Sequence, residues 1–332
     1  MKPGSCILAV LTLLALLLIV AGCSQPAPTG TPVVWIVYGS EKGDLSYTDA
    51  AYQGLLAAQQ KQPLRIREFV PRDFETLPAV LNATTGTDRP ALIITVGFQY
   101  AGFTRELADQ HKDIRFLAID QAGIGSDNLR SYEIMSYGDS YLAGVLAASA
   151  SRTQHVGIIM GTESDVLDTF LDGYTTGARA VNATIAVDHA YVRHHSTEGF
   201  TDAPAANKCA EAMYRNGTDV IFACAGYSNT GVFGAAENTP GRYVIGTDSD
   251  QSPLGPEFIL ASAVKRVDRV VSFGIGNVLD GTFTGGNVTA GLGEGVTGIV
   301  FNPRFTLYNE TISAWEAQAR ANEMAYVQSR GR

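Results

Sequence analysis

Short apolar runs alternate with longer amphipathic segments along most of the chain, and this pattern predicts a doubly wound α/β fold. Residues 218–251 show it clearly, because an apolar run at 220–225 is followed by a short helical segment and a second apolar run at 243–246. Continuous β-rich runs bounded by turn residues are typical of buried parallel strands. Such sheets bind ligands at the carboxyl ends of their strands. Gly226 and Asp248, which follow the two runs, are therefore candidate binding residues.

The alternation occurs twice, which predicts two similar lobes. Strands are expected at 33–38, 65–70, 91–96 and 115–119 in the first round and at 155–160, 185–192, 219–225 and 243–246 in the second. The Gly-rich stretch 281–298 is interpreted as a pair of loops. Two α/β lobes joined by several crossovers predict a clamshell that closes on a ligand. We expect lobe one at 33–134 plus 262–290 and lobe two at 135–261 plus 291–330.

The N-terminus has the pattern of an export signal. Lys2 precedes an apolar run at 6–20, and Ala21-Gly22-Cys23 follows it. This pattern predicts a lipoprotein signal peptide at 1–22, a lipid-modified Cys23 and a flexible tether at 23–32. The run is shorter than the roughly 20 apolar residues of a membrane-spanning helix. An ordinary signal anchor with a coincidental cysteine is the alternative.

Composition narrows the class of protein. The 332 residues are 45% hydrophobic and 17% charged, with a net charge of −9, which is typical of a globular chain. An acidic chain without a basic patch is not expected to bind nucleic acid. After the expected signal peptide and Cys23, the cysteines of the chain are Cys209 and Cys224. An exported protein could join them in a disulfide, but one is expected in the middle of a helix and the other at a strand end, and spacing alone does not show that they meet. Two buried free thiols are therefore expected.

The sequence lacks the motifs of common enzymes. Residues 226–230 fail the Gly-x-Ser-x-Gly pattern at the last position, and neither His-Glu-x-x-His nor a phosphate-binding Gly-Lys-Ser/Thr occurs. The Gly-rich residues 291–295 lack the flanking strand and helix of a dinucleotide site. His189, His194 and His195 are interpreted as a surface loop in preference to a metal site. We therefore expect a binding protein without a cofactor.

A series of short motifs occurs in a specific order. They are Asp44-Leu45-Ser46-Tyr47 with Gly54, Val96-Gly97-Phe98, Ser140-Tyr141-Leu142-Ala143-Gly144, the segment 156–161, Gly199-Phe200-Thr201-Asp202, Ala225-Gly226, the segment 245–251 and the segment 262–268. In this order they resemble the basic membrane protein family of substrate-binding lipoproteins, close to the PnrA-like purine nucleoside receptors of ABC transporters. The resemblance covers roughly residues 34–299 and implies a periplasmic-binding-protein-like type I clamshell.

The resemblance also implies a ligand and its binding residues. Tyr52 and Phe200 would stack on a purine base. Asp248 and its charge partner Lys265 would hold the ribose, and Asp44 would read the polar atoms of the base. Phe98 and Gly226 would complete the site. The implied partners are an ABC permease and its ATPase, reached from the outer face of the membrane.

Several alternatives stay open. Tyr52 shares a helix face with core residues, and Asp248 could cap a turn, although Asp250 fits that role better. Gly43 and Thr48 replace an acidic residue and an asparagine of the family, which leaves the preferred base open, and Asp139 is a further candidate. Either Asp44 or Ser46 could cap the first helix. A sensor lipoprotein for a nucleoside or another small metabolite, without transport, is the alternative function.

Overall fold

The computed structural model describes residues 30–331, and its first lobe is built on a parallel six-stranded sheet. The strands are β1 (Val33–Val37), β2 (Arg65–Phe69), β3 (Leu92–Val96), β4 (Arg115–Ile119), β5 (Leu129–Ile134) and β11 (Gly286–Ala290). Their order is β11-β5-β4-β3-β1-β2, and all neighbours run parallel. β1 and β3 are buried along their whole length, which explains their continuous apolar sequences.

The second lobe repeats this architecture with one strand reversed. Its strands are β6 (His155–Met160), β7 (Ala186–Tyr191), β8 (Val220–Cys224), β9 (Tyr243–Asp248), β10 (Ile259–Lys265) and β12 (Thr297–Phe301). Their order is β12-β10-β9-β8-β6-β7, with β12 antiparallel to β10 and the other neighbours parallel. The fold class is thus the expected clamshell of two doubly wound lobes.

Helices connect and cover the strands. They are α1 (Tyr47–Lys61), α2 (Leu77–Ala83), α3 (Ala101–Gln110), α4 (Tyr137–Ala150), α5 (Asp165–Val181), α6 (Ala203–Arg215), α7 (Asn229–Glu237), α8 (Val267–Leu279) and α9 (Asn309–Ser329). Short 3-10 turns lie at Pro71–Thr76, Gly86–Asp88, Phe98–Tyr100, Thr197–Phe200, Gly226–Ser228, Ser252–Leu254 and Pro303–Tyr308. Within residues 30–331, no helix is long and apolar enough to cross a membrane. The expected signal peptide and Cys23 lie outside the described residues.

The chain passes between the sheets after β5, after β10 and after β11, and we call these three segments the crossovers. The expected lobe boundary at 261/262 falls inside β10, which belongs to the second sheet as far as Lys265. The interpretation of 281–298 as loops was wrong, because β11 and the start of β12 lie there.

Glycines let helices pack backbone to backbone within each lobe. A Cβ atom at Gly54 on α1 would clash with the Asp268 carbonyl on α8. A Cβ at Gly144 on α4 would clash with the Tyr174 carbonyl on α5. Because close-packed interiors resist deformation, we expect each lobe to move as a unit about the crossovers.

Equivalent strands of the two lobes end in the same way. Asp120 follows β4 with φ of 59°, and Asp248 ends β9 with φ of 67°. β4 and β9 occupy the same place in the two sheet orders. Left-handed backbone is uncommon outside glycine, and aspartate is among the residues that tolerate it best. Each lobe thus has an aspartate in left-handed backbone at the carboxyl end of the equivalent strand.

Candidate ligand-binding site between the lobes

A cavity of about 370 Å³ lies between the lobes, at the carboxyl ends of strands from both sheets. This volume is in the range of small-molecule sites. Its lining comes from lobe one at Gly39, Ser40, Glu41, Asp44, Tyr47, Thr48, Pro71, Arg72, Gly97, Phe98, Gln99 and Asp120, and from lobe two at Val166, Leu167, Phe170, Thr197, Glu198, Phe200, Thr201, Cys224, Gly226, Thr247, Asp248 and Lys265.

The sheet orders give the cavity a direction. β4 and β10 lie near the crossovers, so Asp120 and Lys265 form what we call the inner end. β2 and β7 lie farthest from the crossovers, and the residues that follow them, Arg72 and Glu198, form the mouth. Both mouth residues are exposed. The cavity is therefore charged and buried at one end and open to solvent at the other.

An ion pair that joins the two lobes dominates the inner end. Lys265 Nζ lies 2.6 Å from Asp120 Oδ2, and their side chains are only 2% and 4% exposed. The ammonium also lies 5.4 Å from the ring centre of Tyr47 and 5.5 Å from that of Phe170. Aromatic faces attract cations, most strongly where water is excluded. The lysine is thus fixed by a carboxylate and two rings.

Asp248 lies beside this pair and is a separate acceptor. Its Oδ2 accepts a hydrogen bond of 2.6 Å from Ser46 Oγ of the other lobe. Burial raises the pKa of Asp248 to about 6, although the positive charge of Lys265 opposes the shift. At neutral pH the group is ionised, and a carboxylate has about four acceptor positions. Positions remain for the hydroxyl groups of a ligand.

Asp44 has a structural role. Its carboxylate accepts the backbone N–H groups of Ser46 at 3.0 Å, Thr48 at 2.7 Å and Asp49 at 3.0 Å. Ser40 Oγ donates a fourth, longer bond of 3.3 Å. Burial raises the pKa of Asp44, and the three N–H groups oppose that shift. Asp44 therefore caps α1. Because these bonds occupy its acceptor positions, it has no free acceptor with which to read a base.

The expected aromatic residues divide into two groups. Phe98 and Phe200 line the cavity from opposite lobes, with ring centres 6.3 Å apart at 63°. Gly226 lies behind Phe200, where a Cβ would come within 3.5 Å of the Phe200 Cβ. The expectation for Tyr52 was wrong, because it does not line the cavity and instead holds Lys42 Nζ 4.3 Å from its ring centre. Only the first turn of α1, with Tyr47, faces the cleft.

Sequence reasoning missed the three lining residues that surround the Lys265 ammonium, which are Asp120, Tyr47 and Phe170. Asp120 follows a correctly placed strand, so the rule of ligands at strand ends could have found it. Tyr47 lies in one of the motifs that carry the resemblance. Phe170 lies on α5, and no pattern in the sequence marks it. The partner of Lys265 is therefore Asp120, where the sequence indicated Asp248.

The loop before α1 reaches across to lobe two. Its Leu45 carbonyl accepts from Gln251 Nε2 at 3.1 Å, and its Ser46 carbonyl accepts from Ser249 Oγ at 3.0 Å. Together with the bond from Ser46 Oγ to Asp248, these contacts bridge the lobes. The structure thus has an arrangement in which the two lobes touch directly beside the cavity.

The remaining candidates lie outside the binding site, except for Cys224, which lines the cavity. Among residues 30–331, no group of three or more His, Cys, Asp or Glu side chains could hold a metal ion. His194 Nδ1 donates a hydrogen bond to the Glu163 carboxylate on the surface. Cys209 and Cys224 are free, as expected, but Cys209 is only partly buried. Asp139 is fully buried on α4 and does not line the cavity.

Comparisons with known proteins agree with this architecture. A sequence profile of the family described as "ABC transporter substrate-binding protein PnrA-like" matches residues 31–325. The chain is 29% identical over 283 residues to Basic membrane protein A of Borreliella afzelii, covering 83% of this chain and 85% of that one. It is 34% identical over 213 residues to the ABC transporter nucleoside-binding protein BmpA of Lactococcus lactis, covering 59% of each.

A solved structure of ABC transporter system solute-binding proteins from Aeropyrum pernix K1 has a similar fold. The TM-score is 0.75 at 24% sequence identity, and the match covers 90% of this chain and 86% of the other. The shared architecture therefore extends through both lobes.

Proposed function

The chain belongs to the family of PnrA-like ABC transporter substrate-binding proteins, and we propose that it binds a nucleoside, most readily a purine nucleoside, between its lobes for uptake. Binding proteins of this family are not enzymes. One observation carries the choice of ligand: the cavity combines aromatic walls with a buried, charged inner end. A nucleoside has the matching parts, which are a flat base and a sugar rich in hydroxyl groups.

The inner end suits the ribose. Asp248 accepts from its hydroxyl groups with the positions that Ser46 leaves free, and the Lys265 ammonium donates to the same hydroxyl oxygens. Asp120 keeps Lys265 in place. Because two carboxylates face one ammonium, the inner end carries one net negative charge when Asp248 is ionised, which disfavours an anionic group there.

The aromatic walls suit the base. Phe98 and Phe200 approach from opposite lobes, and stacking of a base on such rings is worth about 1–3 kcal/mol. With Asp44 engaged in capping, the hydroxyls of Ser40 and Thr48, 2.7 Å apart in the cavity wall, are proposed to contact the base edge. Gly43 has a φ of 93°, which side chains rarely adopt, so it supplies no acidic group there.

Delivery requires partners outside the chain. A lipid on Cys23 would hold the protein at the outer face of the membrane, where an ABC permease and its ATPase take over the ligand. The sequence around Ala21-Gly22-Cys23 supports this anchor. Mass spectrometry of the protein extracted from membranes tests it, and an unmodified Cys23 would contradict it.

Calorimetric titration tests the ligand. The purified protein is unfolded and refolded to remove bound ligand, and is then titrated with adenosine, guanosine, inosine, pyrimidine nucleosides, free bases and ribose. We expect tight binding of a purine nucleoside and weak binding of the free base. Phe200→Ala, which removes a stacking ring, should weaken binding, whereas Phe273→Ala, an exposed ring on α8 away from the cavity, should not. No binding across the panel would reject the nucleoside and favour a sensor for another metabolite.

A further inference from the structure

A buried carboxylate on the last helix connects two of the three crossovers. Glu323 lies on α9 and is 6% exposed. Its Oε2 accepts the backbone N–H of Gly138 at 2.7 Å, in the first turn of α4 after the first crossover. Its Oε1 accepts the N–H of Leu292 at 2.9 Å, in the third crossover. One side chain thus joins the two connections through which the chain enters lobe two.

The surroundings of this carboxylate are shaped for it. A Cβ at Gly138 would lie 2.6 Å from Glu323 Oε2, and a Cβ at Gly291 would lie 2.5 Å from Oε1. Real Cβ atoms do not approach so closely, so an added Cβ at either position would displace the carboxylate. The two crossovers therefore close around the carboxylate with backbone alone.

A second buried carboxylate, that of Asp139, lies next in the chain to the Gly138 contact. Asp139, next to Gly138, is fully buried, and neither of its oxygens has a hydrogen-bond partner among the described residues. Burial and the negative charge of Glu323 raise the pKa of Asp139 well above its usual range, while Lys265 opposes this shift. The charges of both Glu323 and Lys265 thus act on the pKa of Asp139.

We propose that Glu323 is a positioning residue that favours the arrangement with the lobes in contact. Rotation of one rigid lobe against the other must change the backbone of the crossovers. Hydrogen bonds from N–H groups to a carboxylate are stronger than neutral ones, and Glu323 makes one to each of two crossovers. The bonds exist in a structure whose lobes touch, so they stabilise that arrangement over an open one.

The distance between the lobes tests this in the ligand-free protein. Spin labels are placed on cysteines at Glu75 and Lys208, exposed positions near the mouth in lobes one and two, with Cys209→Ser to remove the accessible native thiol. Pulsed dipolar spectroscopy then measures the distance distribution. Glu323→Gln keeps the shape but can accept only one of the two N–H groups. We expect its distribution to move to longer distances.

Two further variants make the result specific. Gly291→Ala displaces the carboxylate from the other side, because its Cβ meets Oε1, and it should shift the distances in the same direction. Glu316→Gln, on the same helix and paired with Arg320 at the surface, should leave them unchanged. Folded Glu323→Gln and Gly291→Ala proteins with the parent distribution would overturn the proposal. If Glu323→Gln fails to fold, Gly291→Ala decides alone.

Ligand affinity gives a second readout that rests on the proposed function. Loss of the contact should weaken nucleoside binding about tenfold, mainly through faster release, because part of the binding energy must then close the lobes. Unchanged affinity in a Glu323→Gln protein with lengthened distances would overturn the link between crossovers and binding. If the parent protein binds no nucleoside, the proposed function fails, while the distance measurement still decides the role of Glu323.

Discussion

Replacing Asp248 by asparagine should stabilise the folded protein at neutral pH while weakening its ligand binding. Burial raises the pKa of Asp248 to about 6, so the folded state holds an ionised carboxylate at an energetic cost. The shift from the usual value near 4 corresponds to about 3 kcal/mol at most. Asp248 is partly exposed to the cavity, so solvent screens the charge, and we expect a gain of about 1–2 kcal/mol in Asp248→Asn. The asparagine oxygen can still accept from Ser46.

The pH dependence follows from the sign of the shift. Below about pH 4, Asp248 is protonated in both states and the variant gains nothing. As the pH rises from about 4 to 6, the unfolded state loses its proton first, so the parent loses stability relative to the variant. Above about pH 6 the difference is constant.

Urea unfolding of parent and variant between pH 4 and pH 8 measures this difference. Asp250→Asn is the matched control, since Asp250 is exposed and only accepts a turn bond from the Ser252 N–H. Calorimetry should show binding of the nucleoside weakened by about 1.5–3 kcal/mol in Asp248→Asn, the value of a hydrogen bond to a charged group. A variant that is less stable than the parent at pH 7, or a gain that persists at pH 4, would refute the reasoning.

Four other substitutions separate the roles of different residues. Asp120→Asn removes the carboxylate in contact with Lys265, leaves only the more distant charge of Asp248 near it, and should lower the free energy of unfolding by about 3 kcal/mol, measured in urea. Tyr52→Ala should change nucleoside affinity less than twofold, whereas Phe200→Ala should cost about 1–3 kcal/mol by calorimetry, and equal losses would contradict the observed lining. Asp44→Ala removes the cap of α1 and should cost about 1–2 kcal/mol in thermal unfolding, whatever the ligand.

Much of the fold could be predicted from local sequence. The limits of β4 and β6 agree with the expected ones, because turn residues bound each segment. β11 was missed because its sequence, Gly-Asn-Val-Thr-Ala, has weak strand propensity and is held by pairing with β5. Such pairing is decided by tertiary contacts that a single sequence does not reveal.

The candidate site was predictable in part. The rule of ligands at strand ends placed Gly226 and Asp248 correctly in the cavity wall. The partner of Lys265 depends on how the two lobes meet, so the sequence alone indicated the wrong carboxylate. The resemblance assigned Tyr52 to the base, whereas helical periodicity placed it with core residues, and it packs against the core of lobe one.

The direction of the cavity implies an order of events in recognition. If each lobe moves as a unit, a rotation at the crossovers displaces each residue of the lobe in proportion to its distance from the crossovers. The inner end, with Asp120 and Lys265, moves least, and the mouth, with Arg72 and Glu198, moves most. A ligand can therefore be captured by its inner portion while the lobes are still apart. The lobes can then close at the mouth only around a ligand whose outer portion fits there. Binding at the inner end therefore precedes discrimination between ligands at the mouth.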